Sequence, residues 1–333
     1  KGQTVVACMN LEGYDAAAPG NHEWDFGWEV LRDRAAEAKF PFLVANLVEE
    51  ATGKTPSYLK PYIIKKVAGV RFSIIGLTYP SSAIIKASAV QGLKFSSGTE
   101  AVQKYLPEVR QRSDIVIVLS HLGLASSYPG QDGDTELAEQ VPGIDVIVGG
   151  HSHVELRNAR RVGEAIIVQA GTKGKYLGRL ELTIDKKTKK IVSAKTQDEL
   201  VAVVSPKTTP NAAVAQIVQK RLDEAPATIA VADPVELVVD LPADDVRVGG
   251  EALGHRAHNA TGGLMELWRV DAVVAAIAER HPATGLVHGQ QVGVLLHQPG
   301  RRRGGGRAQP RDNTRPGPPR ARPAGPPAPP PPH

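Results

Sequence analysis

The chain has 333 residues, of which 41% are hydrophobic and 23% charged. This composition suits two domains of ordinary size and excludes a wholly disordered chain. The net charge of +5 is unevenly distributed, because residues 299–333 hold eight Arg against one Asp, with no Lys or Glu. The rest is close to neutral, so we expect no nucleic-acid partner for the folded part. A single cysteine, Cys8, excludes a disulfide scaffold, and no apolar run is long enough for a transmembrane segment.

Apolar periodicity predicts a series of helices and strands along the chain. Helices are predicted over residues 4–11, 98–112, 136–141 and 211–224. Strands are predicted over residues 42–46, 62–67, 70–77, 115–119, 145–148, 165–170, 176–185 and 190–196. The last three are expected to form an antiparallel run with a Lys-rich turn at 186–190. Strands that alternate with helices, and are then followed by strands alone, indicate an α/β domain with mixed sheets.

Residues 254–333 differ in composition from the rest. No Lys occurs after Lys220, apolar periodicity is lost from about Gly254, and the last 35 residues contain 12 of the 26 prolines. With so little to bury, this segment is predicted to be a largely disordered tail rich in Arg, Pro and Gly. Two interpretations stay open: a genuine disordered tail, and a stretch that is not the natural continuation of the chain.

Three polar clusters follow predicted strands or short apolar runs. Asn21 and His22 come after the Ala-rich run 16–18, and His121 comes after the strand at 115–119. The third cluster, Gly149-Gly150-His151-Ser152-His153, follows the strand at 145–148. Ligands of open α/β sheets bind beyond the carboxyl ends of the strands, so strands of one sheet would bring these loops together.

The side chains at these loops form a candidate metal-ligand set of Asn21, His121, His151 and His153. Imidazole nitrogens and an amide oxygen suit Zn, Mn, Co or Fe better than Ca. His151 and His153 alternate along the chain with Ser152 between them, and we expect this alternation to separate their rings. Two neighbouring divalent ions fit that spacing better than one, and two such ions are a known device for hydrolysing phosphate esters.

His22 and Asp25 form a candidate catalytic pair. A carboxylate three residues after a histidine can accept one ring N–H, fix the tautomer and favour the imidazolium form. Such a histidine could stabilise a transferring phosphoryl group and protonate the leaving alkoxide. Structural alternatives for the neighbouring residues are a helix cap at Asn21, core packing for Trp24 and Phe26, and a turn at Asn46.

At these residues the sequence resembles the 5'-nucleotidase family of the metallophosphoesterase superfamily. The resemblance covers residues 14–27, 46–47, 70–77, 114–123, 141–153 and 167–185, and the run from Pro142 to His153 is close to diagnostic. By resemblance, Asn21, His121 and His151 would hold one ion, and His153 would contribute to the other. His22 and Asp25 match the family's catalytic pair.

The resemblance implies a fold, an activity and a location. The fold is a two-sheet sandwich flanked by helices (four-layer α/β/β/α), followed by a substrate-binding domain. Family members cleave nucleoside monophosphates, and some cleave 2',3'-cyclic nucleotides or nucleotide sugars, usually outside the cytoplasm. We therefore expect two-metal hydrolysis of a small-molecule nucleotide substrate, in nucleotide catabolism, by an extracytoplasmic protein.

The sequence departs from the family's pattern at both ends. Its Asp-x-His and Gly-Asp motifs, the latter with the Asp that bridges both metals, have no counterpart, and the resemblance stops after Gly254. The sequence is thus expected to be an incomplete copy. Residues 1–200 would be a catalytic domain lacking its first strands, 201–253 a linker helix and the start of a C-terminal domain, and 254–333 the tail. With its second metal site incomplete, the chain is predicted to bind metal weakly and hydrolyse esters poorly.

Other functions remain open. One is a catalytically inactive remnant that keeps the fold. Another is a different metallophosphoesterase branch, such as a thiosulfate-releasing hydrolase or a cyclic-nucleotide phosphodiesterase. The third is a polyanion- or SH3-binding module that acts through the Arg/Pro tail.

Overall fold

A computed structural model of the chain describes residues 1–80, 85, 87–126, 131–185, 187–195, 200–203 and 211–224, together with the backbone of four short strands between 271 and 294. The helices of this described part are α1 (Gln3–Glu12), α2 (Trp28–Glu37), α3 (Gly98–Arg112), α4 (Asp134–Gln140) and α5 (Ala212–Asp223), with 3-10 turns at His22–Trp24 and Ala87–Val90. None of these helices has the length and apolar character to cross a bilayer.

The described strands run from β1 to β16 in chain order. They are β1 (Ala16–Ala18), β2 (Leu47–Glu49), β3 (Tyr62–Val67), β4 (Val70–Leu77), β5 (Leu93–Phe95), β6 (Ile115–Ser120), β7 (Val146–Gly149), β8 (Arg160–Val162), β9 (Ala165–Gln169), β10 (Tyr176–Ile184), β11 (Ile191–Lys195), β12 (Leu200–Ala202), β13 (Asp271–Val274), β14 (Glu279–Arg280), β15 (Val287–His288) and β16 (Val292–Val294).

The largest sheet has six strands in the order β3-β4-β6-β7-β9-β8. Its four inner strands run parallel, and the edge strands β3 and β8 are antiparallel to their neighbours. The inner strands are almost continuously aliphatic and buried, as parallel strands covered on both faces must be. Parallel pairing brings the carboxyl ends of β6 and β7 to the same edge, so the loops that follow them are neighbours.

A second β layer faces this sheet. In it β10 pairs antiparallel with β11, β12 and β13, and the short strand β1 pairs antiparallel with β16. The three alanines of β1 are fully buried. Since alanine occupies little volume, β1 can lie close to both the large sheet and the helices outside.

Three hydrophobic cores define four layers. One core lies between the six-stranded sheet and the second β layer, and joins Phe72 to Leu180. A second fills the space between the outer face of the large sheet and α3 and α4, around Val102 and Leu137. The third packs α1 and α2 against β1. The order helix, sheet, sheet, helix confirms the four-layer α/β/β/α fold class predicted from the sequence.

Most predicted elements are present, and the hairpin β3–β4 and helix α3 have the predicted bounds. Two predictions were wrong. Within 42–46, Phe42 and Leu43 form only isolated bridges, and the strand begins at Leu47. The run predicted at 165–196 is not one antiparallel series, because β9 lies in the large sheet, parallel to β7, whereas β10 and β11 lie in the other layer.

The segment predicted to be a disordered tail is only partly described. The backbone strands β13 to β16 lie within it, and β13 and β16 pair with β10 and β1. Four strands thus lie within a segment that was predicted to be largely disordered. The rest of 254–333 lies outside the described residues, and the three domain boundaries stay predictions.

Candidate functional site

The first part of the site follows β1. Gly20 packs so closely on the His121 ring that a Cβ at position 20 would lie 2.5 Å from Nε2 of His121. A side chain at this position would displace the ring, so the glycine allows the backbone of one loop to reach the imidazole of another. The backbone N–H of Gly20 donates to Oε2 of Glu23 at 2.5 Å, which fixes the loop before the 3-10 turn.

His121 follows β6 and is buried, with 2% of its surface exposed. Burial lowers its pKa well below the ordinary value, and the neighbouring His151, His22 and His153 lower it further. The ring is therefore neutral at physiological pH. Its Nδ1 has no hydrogen-bond partner among the described residues. A buried ring nitrogen without a protein partner is a candidate ligand for a water or a metal ion.

His151 follows β7 and lies next to both other clusters. Its Nδ1 is 3.1 Å from Oδ1 of Asn21. The ring of His151 lies edge to face with that of His121, with 5.2 Å between the ring centroids, and stacks on the ring of Tyr79, with 4.0 Å between centroids. Burial, with a smaller effect of His153 and His22, lowers the pKa of His151 to about 4. At neutral pH this histidine is a neutral ring, with a lone pair on one of its two nitrogens.

The backbone at His151 and His153 is not extended. Both residues are left-handed, with φ of 69° and 60°, a conformation that is costly for side chains with a Cβ. The expectation that alternation separates the two rings was wrong in its premise, because residues two apart on an extended strand share one face and the backbone here is left-handed. The side chain of His153 is mostly exposed, and its pKa is lowered by burial of the remainder and by the nearby Lys173 and His22.

The three loops meet as the sequence predicted, but from two layers. β6 and β7 are neighbours in the large sheet, whereas β1 pairs with β16 in the second layer. The expectation that strands of a single sheet bring the loops together was wrong. Asn21 and His151, 130 positions apart, touch because the sheets pack face to face with β1 against the large sheet.

His22 and Asp25 lie beside this cluster. Nδ1 of His22 is 3.0 Å from Oδ2 of Asp25, and both side chains are partly exposed. His22 is near enough to lower the pKa values of His121, His151 and His153. The pair therefore borders the same space as the candidate ligands.

The structural roles considered for Asn21, Trp24, Phe26 and Asn46 were partly wrong. The side chain of Asn21 caps no helix and faces His151 instead. Trp24 is fully buried, as predicted, and its ring N–H donates to Thr78 at 3.2 Å, but Phe26 is 38% exposed. Asn46 is buried and bonds both N–H and C=O of Thr78, so it ties β4 to the chain before β2.

Sequence reasoning missed several residues that support the site. Tyr79 stacks on His151, and the buried Gln169 holds the loop after β7. The carboxyl of Asp134 lies against Gly149, where a Cβ would come within 2.1 Å of it. Burial raises the pKa of Asp134 to about 8, although the nearby Ser120 hydroxyl favours the charged form. The one signal in the sequence was a polar Gln at the end of an aliphatic strand. The residues to which it bonds can be identified only in the structure.

These side chains fit one divalent metal ion. Asn21, His121 and His151 offer an amide oxygen and two neutral imidazoles, one with an unpartnered buried nitrogen. Among the described residues no three His, Cys, Asp or Glu side chains could hold an ion together, so the amide is needed as the third ligand. Of the four ligands predicted from the sequence, this leaves His153, among the described residues, for a second ion. The donor types suit a transition metal of the N/O-binding class.

Comparison with known proteins relates the chain to phosphoesterases. Residues 7–155 match the family model described as Calcineurin-like phosphoesterase. A 5'-nucleotidase of Vibrio cholerae is 33% identical over 198 residues, covering 52% of this chain and 35% of that protein. A 2',3'-cyclic-nucleotide 2'-phosphodiesterase/3'-nucleotidase of Haemophilus influenzae is 31% identical over 167 residues, covering 46% of this chain and 25% of that protein.

A solved structure agrees. The sulfate thiohydrolase SoxB of Thermus thermophilus superposes with a TM-score of 0.59 at 27% identity, covering 67% of this chain and 39% of that one. The chain spans about a third or less of the length of the two curated relatives.

Proposed function

Because residues 7–155 form a calcineurin-like phosphoesterase domain related to 5'-nucleotidases, we propose that the protein is a metal-dependent hydrolase of nucleotide phosphate esters. Nucleoside 5'-monophosphates are the proposed main substrates, and 2',3'-cyclic nucleotides are a further class. The observation that carries this proposal is the convergence of Asn21, His121 and His151 beside the pair His22–Asp25.

Asn21, His121 and His151 would hold the first divalent ion, and His153 would be the one described ligand of a second. When bound, such ions polarise a phosphoryl oxygen and activate water for attack. The protein's own contribution is to keep the imidazoles neutral, since a protonated ring cannot bind a metal. Burial of His121 and His151 does this by lowering their pKa values.

His22 and Asp25 would move the proton. Asp25 accepts the hydrogen bond from Nδ1 of His22, which fixes the orientation of the ring. The opposite nitrogen of His22 could then donate a proton to the leaving alkoxide, while the imidazolium charge offsets the charge that develops on the phosphoryl group. This role requires His22 to be accessible, and its side chain is 36% exposed.

The test is phosphate release from AMP by the full chain with Mn²⁺, Zn²⁺ or Co²⁺. The variants His22→Ala and His121→Ala are expected to lower kcat/KM by about 100-fold or more, because each removes a group that acts on the reacting phosphate or its ligand shell. Ser193→Ala, an exposed change on β11, is the control and should match the wild type. Equal activity of all four proteins would overturn the proposal.

A catalytically inactive remnant is the second candidate, favoured by the lack of any self-sufficient cluster of three metal-binding His, Cys, Asp or Glu side chains among the described residues. Absence of phosphate release with every metal, from AMP, 2',3'-cyclic AMP and p-nitrophenyl phosphate, would favour it. A SoxB-like thiohydrolase rests on similarity of fold. It would be supported by activity on thiosulfate esters alone. The extracytoplasmic location stays a prediction.

A further inference from the structure

The loop between β7 and the isolated β-bridge at Glu155 carries both His151 and His153. One buried side chain bonds to this loop at three points. We infer that Gln169 is a positioning residue that fixes the backbone of this loop and so determines where the two imidazoles point. Gln169 is the last residue of β9, pairs with Gly149 of β7, and is 1% exposed.

The amide of Gln169 makes three bonds to the loop. Its Nε2 donates to the carbonyl of Gly150. Its Oε1 accepts from the Ser152 hydroxyl and from the Val154 N–H, both at 2.9 Å. Each polar atom of the side chain is used, and each partner belongs to the loop. The backbone carbonyl of Gln169 also accepts from the Leu156 N–H at 3.1 Å, which anchors the end of the loop.

The three partners alternate with the two histidines. Gly150, Ser152 and Val154 are bonded to the amide, whereas His151 and His153 lie between them with left-handed backbones. A left-handed residue with a Cβ persists only where its surroundings fix the conformation. Because Gly150, Ser152 and Val154 are held at the buried amide, the backbone conformation of the two histidines between them is fixed, and with it the direction of each ring.

The same network reaches the loop that carries His121. The Ser152 hydroxyl, which donates to Gln169, also accepts from the Leu124 N–H at 3.0 Å. Leu124 lies three residues after His121, so one hydroxyl joins the loops after β6 and β7. The amide therefore positions His151 and His153 relative to His121 as well as relative to the sheet.

The inference concerns loop geometry and deepens the proposed function, on which its catalytic consequence rests. The test compares the full-length wild type with Gln169→Leu and Ser152→Ala, each without metal. Gln169→Leu keeps the volume and removes all three bonds. Ser152→Ala removes one of those bonds and the link to Leu124, at a half-buried position where folding is less at risk. Ser73→Ala is the control, a fully buried hydroxyl near the start of β4 that bonds to Ile115 and Ser113.

Amide hydrogen exchange and histidine NMR test the positioning role of Gln169. In amide hydrogen exchange, Gln169→Leu should speed exchange in residues 150–156 on the order of tenfold or more. In histidine NMR, both test variants should shift the ring signals of His151 and His153. Ser73→Ala should lower the melting temperature without either effect. Unchanged exchange and unchanged ring signals in folded Gln169→Leu or Ser152→Ala would overturn the inference.

Hydrolysis separates this result from the proposed function. If the wild type releases phosphate, kcat/KM of Gln169→Leu should fall by about 10- to 100-fold, the usual effect of losing a group that orients a metal ligand. If the wild type is inactive while the loop signals respond as expected, the proposed function fails and the positioning role stands.

Discussion

Single residues decide the charge state of the site. Burial is the largest cause of the lowered pKa of His121, His151 and His153, and each ring disfavours charge on its neighbours. With a pKa of about 4, His151 is neutral at pH 7. Protons therefore compete little with a cation for these nitrogens near neutral pH.

A buried carboxyl away from the site makes a clear prediction. Glu12 ends α1, is 4% exposed, and its Oε1 has no partner among the described residues. Burial raises its pKa from 4.5 to about 7. A carboxyl whose pKa is raised by folding destabilises the fold as it ionises, so stability falls as pH rises from about 4.5 through 7. Glu12→Gln should remove this loss of folding stability at high pH.

Urea unfolding checks this prediction. Relative to wild type, Glu12→Gln should be more stable at pH 8.5 by about 1–3 kcal/mol, and by much less at pH 5. Glu139→Gln, which changes an exposed carboxyl in α4, is the control and should have no such pH dependence. A difference for Glu12→Gln that is the same at both pH values would contradict the assignment.

At the scale of elements, local sequence predicts those structures that local interactions stabilise. The hairpin β3–β4 turns at Ala68-Gly69 with positive φ at both residues, and α3 begins at a capping box. Both were predicted at their observed bounds. The strands β2 and β5 were not predicted, because they are only three residues long and pair with each other across more than 40 intervening residues. The left-handed histidines were missed because their conformation depends on Gln169, far away in sequence.

The capping box of α3 makes a prediction for an element. The Ser97 hydroxyl accepts from the Glu100 N–H at 3.1 Å, and the Glu100 carboxylate accepts from the Ser97 N–H at 3.4 Å. Ser97→Ala should lower the free energy of unfolding by about 1 kcal/mol. Chemical denaturation measures this, with Ser193→Ala as an exposed control. A loss no larger than that of the control would show that the cap contributes nothing.

For the whole molecule, the sequence predicted the fold class, which the structure confirms, and a resemblance to metallophosphoesterases, which agrees with the match of residues 7–155 to the Calcineurin-like phosphoesterase model. Continuous aliphatic runs and the polar residues after them were sufficient, since parallel strands place such residues at one edge. The sequence could not predict that β1 lies in the other layer, because its three alanines indicate burial and not a partner. The supporting residues Tyr79, Asp134 and Gln169 act through contacts with residues that are distant in the sequence, which no local pattern encodes.

The central claim is that Asn21, His121 and His151 face one shared site, and Mn²⁺ titration of the full chain tests it most directly. Calorimetry should show that the wild type binds Mn²⁺. Each of the variants Asn21→Ala, His121→Ala and His151→Ala should raise the Kd for Mn²⁺ at least about tenfold. His22→Ala, which removes a nearby imidazole outside the set, should retain wild-type affinity. Binding that is unaffected by all three ligand variants, or no binding by the wild type, would contradict the claim.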